Sequence, residues 1–449
     1  MTRHVASADE GSDVETRRRG RAALAAAATT AVALGLSACG GGSSASGGTQ
    51  LTWWINPDGG GSDPEGGGQA QLAKECTDKS EGAYTIDFQM LPNSASDQRQ
   101  QLLRRLASSD TGVDIMSIDP VFVAEFAEAG FLAKVPEDKK SAFTDGIVPP
   151  AVTNARWDDQ LYAAPFWANT QLLWYRESVA EEAGLDMEEP ITWDQLIEAA
   201  KKMDTEIGVQ ASRYEGYMVW INALIEGTGA QIVQNPGASG EDLKFGLDTE
   251  GGRKAAAVIQ KLADANVGGP ALGSTNETTS LDMFQNERAA FMLNWPYVYA
   301  ALKGAEVKWM DDLAWTRYPQ TIEGEESKPP LGGIEMGVNS ASDNKEAAWD
   351  AVECITSVES QKTYMLGTGN PAAHTKVYDD PEIREAFPMA EQIRSSLADS
   401  GPRPLTQYYG DVSSGIQRVY SPPGSVDPET TPERAESLLH AVLKGDALL

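Results

Sequence analysis

At 449 residues the chain has room for two or three domains of about 150 residues each, and its 41% apolar content is dispersed rather than gathered into repeated long runs, which excludes a multi-span membrane protein. Against 36 Lys and Arg stand 66 Asp and Glu, a formal charge of -30 that repels phosphate backbones and anionic membrane surfaces and excludes nucleic acid as a principal partner. Such acidity fits any neutral or cationic ligand, so the ligand has to be read from particular side chains.

In chain order, Arg17, Arg18, Arg19 and Arg21 precede an apolar run from Ala22 to Leu36, which is signal-peptide anatomy. The run is short for a membrane span, and the Gly/Ser-rich stretch after it reads as a flexible tether. Leu36-Ser37-Ala38-Cys39 resembles the lipobox of bacterial lipoproteins, which implies acylation of the Cys39 thiol; an ordinary cleavage site beside an incidental Cys is the alternative. The expected boundaries are a signal peptide at 1–38 and a tether at 39–49. With Cys39 lipidated, Cys76 and Cys354 remain as an even pair in an oxidising compartment, each on an apolar helical stripe. They form either a disulfide, which would place both helices in one lobe, or two buried thiols.

Leu51 to Ile55 reads as a strand, followed by a Gly-rich loop through Gly68 and a helix from Gln69 to Cys76. Tyr84 to Met90 reads as a strand, Ser96 to Leu106 as a helix, Val113 to Ile118 as a buried strand, and Phe122 to Ala129 as a helix stopped by Gly130. The alternation predicts a largely parallel sheet covered on both faces. At Thr192, Gln195 three residues on completes a capping box, and Ile191 can staple to Leu196. Further helices are expected at Arg253 to Ala265, Leu281 to Glu287 and Asp343 to Thr356. Interruptions near Pro165, Pro319 to Pro330 and Gly367 to Pro371 divide the body into lobe one, 50–164 and 329–367, and lobe two, 165–328 and 368–449.

Catalytic signatures are missing. There is no His-Glu-x-x-His helix, no Gly-x-Ser-x-Gly elbow and no Gly-Lys-Ser/Thr phosphate loop, and Asn56-Pro57-Asp58 with its glycines fails the order of a calcium loop. No metal, cofactor or catalytic residue is therefore assigned. What is present is aromatic: 11 Trp and 13 Tyr, several beside amides or acids, as at Trp167 near Asn169 and in Asn294-Trp295-Pro296-Tyr297. A sugar ring needs a flat platform for its C–H face and fixed polar groups for its hydroxyls. Asp119 falls just past a buried strand, where open α/β sheets bind ligands.

Several segments together resemble the family-1 extracellular solute-binding proteins: Leu51 to Asp58, Val113 to Asp119, Trp157 to Pro165, Leu173 to Arg176, Pro190 to Leu196, Phe284 to Phe291 and Gly332 to Ile334. More narrowly, Gln98-Arg99, Ala124 to Gly130, Asn169 to Tyr175, Asn294-Trp295-Pro296, Arg403-Pro404 and both later cysteines are similar to the trehalose-binding lipoproteins of actinobacterial ABC transporters. The resemblance implies a class II periplasmic-binding-protein-like α/β fold, two lobes joined by a hinge with a sugar between them. The partners it implies are a disaccharide, trehalose or a related α-glucoside, and the permease subunits of an ABC importer. The protein would be a monomer on the extracytoplasmic face of the cell membrane, touching the membrane only through the lipid anchor.

Carried over residue by residue, Asp119, Asn169 and Glu215 would bond sugar hydroxyls, Trp295 would stack on a ring, Gly333 and Ile334 would offer backbone groups, and Arg403 a planar fork of donors. Asn56 and Asp58 match the polar end of the first strand, and Tyr217 is assigned to the site with Tyr214 as the alternative. The alternatives in function are an exported glycoside-processing lipoprotein enzyme, and a binding protein for malto-oligosaccharides or another neutral solute.

Overall fold

The computed structural model describes residues 48–449; the signal segment, Cys39 and nearly all of the expected tether lie outside the described residues. Among the described residues eleven strands occur in chain order: β1 Thr49–Ile55, β2 Tyr84–Met90, β3 Ile115–Ile118, β4 Arg156–Trp157, β5 Gln160–Leu161, β6 Ala163–Asn169, β7 Leu172–Arg176, β8 Glu206–Gly208, β9 Ala289–Asn294, β10 Leu313–Thr316 and β11 Gly332–Val338. Two sheets organise them, a five-stranded one in the order β2-β1-β3-β11-β6 and a four-stranded one in the order β10-β7-β9-β8, with β4 and β5 pairing apart.

The first sheet is largely parallel, as expected, with β6 running the same way as β3, and the second sheet is not. β2, β1 and β3 are parallel because each is followed by a helical crossover, whereas β11 runs antiparallel to both β3 and β6. β11 enters the first sheet only after the chain has built the second, so no crossover helix fixes its direction. In the second sheet β10, β7 and β9 are antiparallel, and only β8 with β9 is parallel. The chain also leaves the first sheet later than Ala164: β6 stays paired with β11 as far as Asn169, opposite Gly332, and β7 of the second sheet begins at Leu172. The segment Pro371–Ala373, expected in lobe two, bonds back to the first sheet's surroundings through Ala168 N to Pro371 O and Val148 N to Ala373 O.

Local signals are realised where they were specific. The helix Trp193–Lys202 starts on a complete capping box, with Gln195 N donating to Thr192 Oγ1 at 3.1 Å and Thr192 N to Gln195 Oε1 at 2.8 Å, and buries Trp193, Leu196, Ile197 and Ala200. In the first sheet a buried relay reaches from the core to the ligand end of β1. Trp53 Nε1 donates to Ser117 Oγ at 3.0 Å, Ser117 Oγ to Gln69 Oε1 at 2.9 Å, and Gln69 Nε2 to Asn56 O at 2.7 Å. Every polar group in that relay is paired, as burial requires, so the carbonyl end of β1 is fixed.

Cys76, on the helix Gln69–Lys79, and Cys354, on the helix Lys345–Ile355, form a disulfide between elements 278 residues apart. Closing so long a loop in the unfolded chain stabilises the fold by about 5 kcal/mol at most. Excess reductant is expected to lower the melting temperature by several degrees; an unchanged melt, with both thiols then alkylatable, would contradict this role.

Candidate functional site

A cavity of about 890 Å³ opens between the two sheets. From the first come Asn56 after β1, Asp119 after β3, Trp167 and Asn169 on β6, and Gly332 to Ile334 on β11. From the second come Tyr214 and Glu215 at the start of the helix Glu215–Glu226, Trp295 just past β9, and Tyr297. Arg403 enters from the connection between the helices Ala390–Ala398 and Tyr409–Tyr420.

Arg403 is the electrostatic centre. Only 5% of it is exposed, and it donates from Nη2 to Asp119 Oδ1 at 2.8 Å and from Nη1 to Glu215 Oε1 at 2.6 Å, bridging the two sheets. Burial by itself would lower its pKa; the carboxylates of Asp119 and Glu215 outweigh that and raise it, so the guanidinium stays charged. The Tyr409 hydroxyl also donates to Glu215 Oε1, and Ser413 Oγ donates to Glu215 Oε2 at 2.7 Å. Asp119 Oδ1 additionally accepts from Val121 N at 3.2 Å and caps the turn Pro120–Phe122. Among the described residues its Oδ2 accepts no bond, which leaves an oxygen for a ligand hydroxyl.

Trp295 provides the platform. Buried Asn294 accepts from Trp295 N at 2.9 Å and donates to Glu277 O at 3.0 Å, fixing the backbone that carries the ring. The ring reaches across to the first sheet, where a Cβ at Gly332 would stand 3.1 Å from it. Gly333 has φ +130°, and a Cβ there would lie 2.2 Å from Trp167 O, so only glycine fits this irregular pairing beside Ile334. Among the described residues, buried Asn56 Oδ1 and Trp167 Nε1 find no hydrogen-bond partner. Both belong to residues that line the cavity.

The structure thus brings Asn56, Asp119, Asn169, Glu215, Trp295, Gly333, Ile334 and Arg403 to one cavity, and leaves out Tyr217 and Asp58. Tyr217 lies on the buried face of its helix, stacked at a tilt on Trp220 with centroids 6.0 Å apart and donating to Tyr420 O at 3.0 Å. Tyr214, one residue before the helix, lines the cavity instead and donates to Glu277 Oε2 at 2.6 Å. Asp58 is engaged in its own loop, accepting from Gly60 N and Gly61 N at 3.1 Å and from Gln69 N and Nε2 at 2.9 Å. Glu277, Tyr409 and Ser413 gave no sequence signal, because an acid in a first helical turn or a Tyr on an apolar stripe has an ordinary structural use.

Residues 65–362 match the bacterial extracellular solute-binding protein family, and the chain belongs to it. It is 25% identical over 362 residues to a probable ABC transporter-binding protein of Deinococcus radiodurans, covering 75% of this chain and 81% of that one. It is 25% identical over 322 residues to the maltotriose-binding protein of Pyrococcus abyssi, covering 69% of this chain and 66% of the relative. The structure of maltose-bound MalE3 of T. maritima superposes with a TM-score of 0.73 at 25% identity, over 88% of this chain and 99% of that chain. The fold is accordingly the class II periplasmic-binding-protein fold, two α/β lobes on a hinge with the ligand cleft between them. The protein is a solute-binding protein and not an enzyme, and the alternative of a glycoside-processing enzyme is set aside.

Behind the site, Glu335 on β11 is in register with Ile118, the residue before Asp119. It is 1% exposed, and among the described residues its Oε2 has no partner. Burial, with the Asp119 charge adding to it, pushes this carboxyl well above the usual carboxylate range, so the fold favours its neutral form. A raised folded pKa contributes stability that is complete below the unfolded value, near 4.5, and is lost as pH rises. The melting advantage of Glu335→Gln over wild type is therefore expected to grow from pH 5 to pH 8, by up to about 1.4 kcal/mol per unit. Parallel stability curves for the two proteins would contradict the assignment.

Proposed function

We propose that the protein captures a disaccharide, trehalose or a related α-glucoside, in this cleft and hands it to the permease of an ABC importer. The observation that carries the reading is the pairing of a partly exposed Trp295 platform with the acceptors Asp119 Oδ2 and Asn56 Oδ1 and with the Nδ2 of Asn169, all without a partner among the described residues. That is the surface a pyranose needs, an apolar plane rimmed by groups oriented in advance. The maltotriose-binding and maltose-bound relatives support a glucoside. The lipobox-like Cys39 supports an anchored, extracytoplasmic protein, and no described helix is long and apolar enough to cross a membrane. We take the chain to act as a monomer whose two lobes close on the sugar.

Titration calorimetry with trehalose, maltose, maltotriose and sucrose tests the ligand. Intact sugar recovered after release is the expected outcome. Asp119→Ala removes a charged acceptor and is expected to weaken binding by about 1.5–3 kcal/mol, roughly 10- to 150-fold. Trp295→Ala should cost at least about tenfold while the protein melts nearly as wild type. Wild-type affinity of both variants for every sugar in the panel would overturn the assignment.

A further inference from the structure

The cavity does not end at Arg403. It continues outward between the first turns of the helix Ala95–Ala107 and the exposed face of the helix Tyr409–Tyr420. This outer arm differs in chemistry from the inner one, where Trp167, Tyr214, Trp295 and Tyr297 stand beside amides and carboxylates. Its aromatic rings, Phe122 and Tyr409, are buried and meet edge to face at 5.9 Å. Each also lies under a guanidinium, Arg99 at 5.7 Å from the Phe122 centroid and Arg403 at 5.8 Å from that of Tyr409. Neither keeps a face on which a sugar ring could stack.

What the outer arm offers instead is a set of small neutral donors and acceptors. Asn93, Ser96, Gln100 and Ser414 are exposed along it, and among the described residues none of their side chains is hydrogen-bonded to the protein. On this side Arg99 is held by Glu125 at 2.5 Å and faces the exposed carboxylate of Asp411, so its charge is already compensated and an anion would meet Asp411.

We propose that this arm is a second subsite, which receives an uncharged open-chain polyol carried by the sugar, such as a glycerol or alditol unit, rather than a further stacked ring. The proposal rests on the disaccharide reading above and extends it to a substrate class. A flexible chain of hydroxyls can follow scattered amides and hydroxyls without needing a platform, and each bond gained is worth about two- to tenfold in affinity.

The test is calorimetry on the full mature chain with maltose and trehalose, with maltotriitol against maltotriose, and with trehalose etherified by glycerol against trehalose bearing a further glucose. For the disaccharide that binds, the open-chain extension is expected to raise affinity by about two- to tenfold and the ring extension to lower it by about tenfold. The triple variant Ser96→Ala, Gln100→Ala, Ser414→Ala, all exposed and outside the core, should lose the gain for the open-chain ligand and leave the parent disaccharide unchanged. A normal affinity for the parent together with no preference for the open-chain form, or no effect of the variant on it, overturns the second subsite alone. Failure of every sugar to bind overturns the disaccharide reading and the subsite with it.

Discussion

A guanidinium with 5% of its surface exposed keeps its charge only if carboxylates surround it, and Arg403 takes one from each sheet. Much of the cleft follows from that constraint. Asp119 has to stand at the end of β3 with one oxygen committed to Arg403, which directs the other toward the cavity. Glu215 has to open its helix within reach of Arg403, Tyr409 and Ser413 at once, so the start of the helix Tyr409–Tyr420 is brought in as well. Phe122 and Arg99 close on the same helix from the first sheet's side, with Gly410 giving Arg99 room at 3.3 Å.

The connection that bears Arg403 is itself laid along the Glu215 helix. Asn222 Nδ2 donates to Pro402 O at 3.2 Å, and Gly401 N donates to Pro329 O at 2.9 Å, on the segment that leads into β11. A Cβ at Gly401 would meet Glu226 at 3.0 Å, so the approach depends on glycine. At this end of the helix burial, partly offset by Lys328, pushes the Glu226 carboxyl up to about 7. One helix thus supplies a ligand-side acid at its first turn and the seat of a crossing segment at its last.

What was legible in the sequence was whatever depends on local chemistry. The capping box at Thr192, the strand Tyr84–Met90 and the polar residues at strand ends, Asn56, Asp119 and Asn169, each announce themselves within a few positions. Tyr217 against Tyr214 was not decidable locally, because both flank Glu215 and only the facing of the helix, set by Trp220 and Tyr420, buries the first and frees the second. Asp58 misled for a similar reason: a carboxylate in a glycine-rich loop reads as available, yet the loop's own amides occupy it. The direction of β11 and the burial of Glu335 depend on elements more than 200 residues apart meeting in one sheet, as Glu335 meets Ile118, and no window of sequence contains that.

The central claim is that Arg403 couples Asp119 and Glu215 into one unit at the ligand. A double-mutant cycle on sugar affinity, with Asp119→Asn, Glu215→Gln and the pair, measures it most directly. The two effects are expected to fail to add by about 1 kcal/mol or more, because the first substitution already releases the shared guanidinium. Effects that add within about 0.3 kcal/mol would show two independent carboxylates and contradict it.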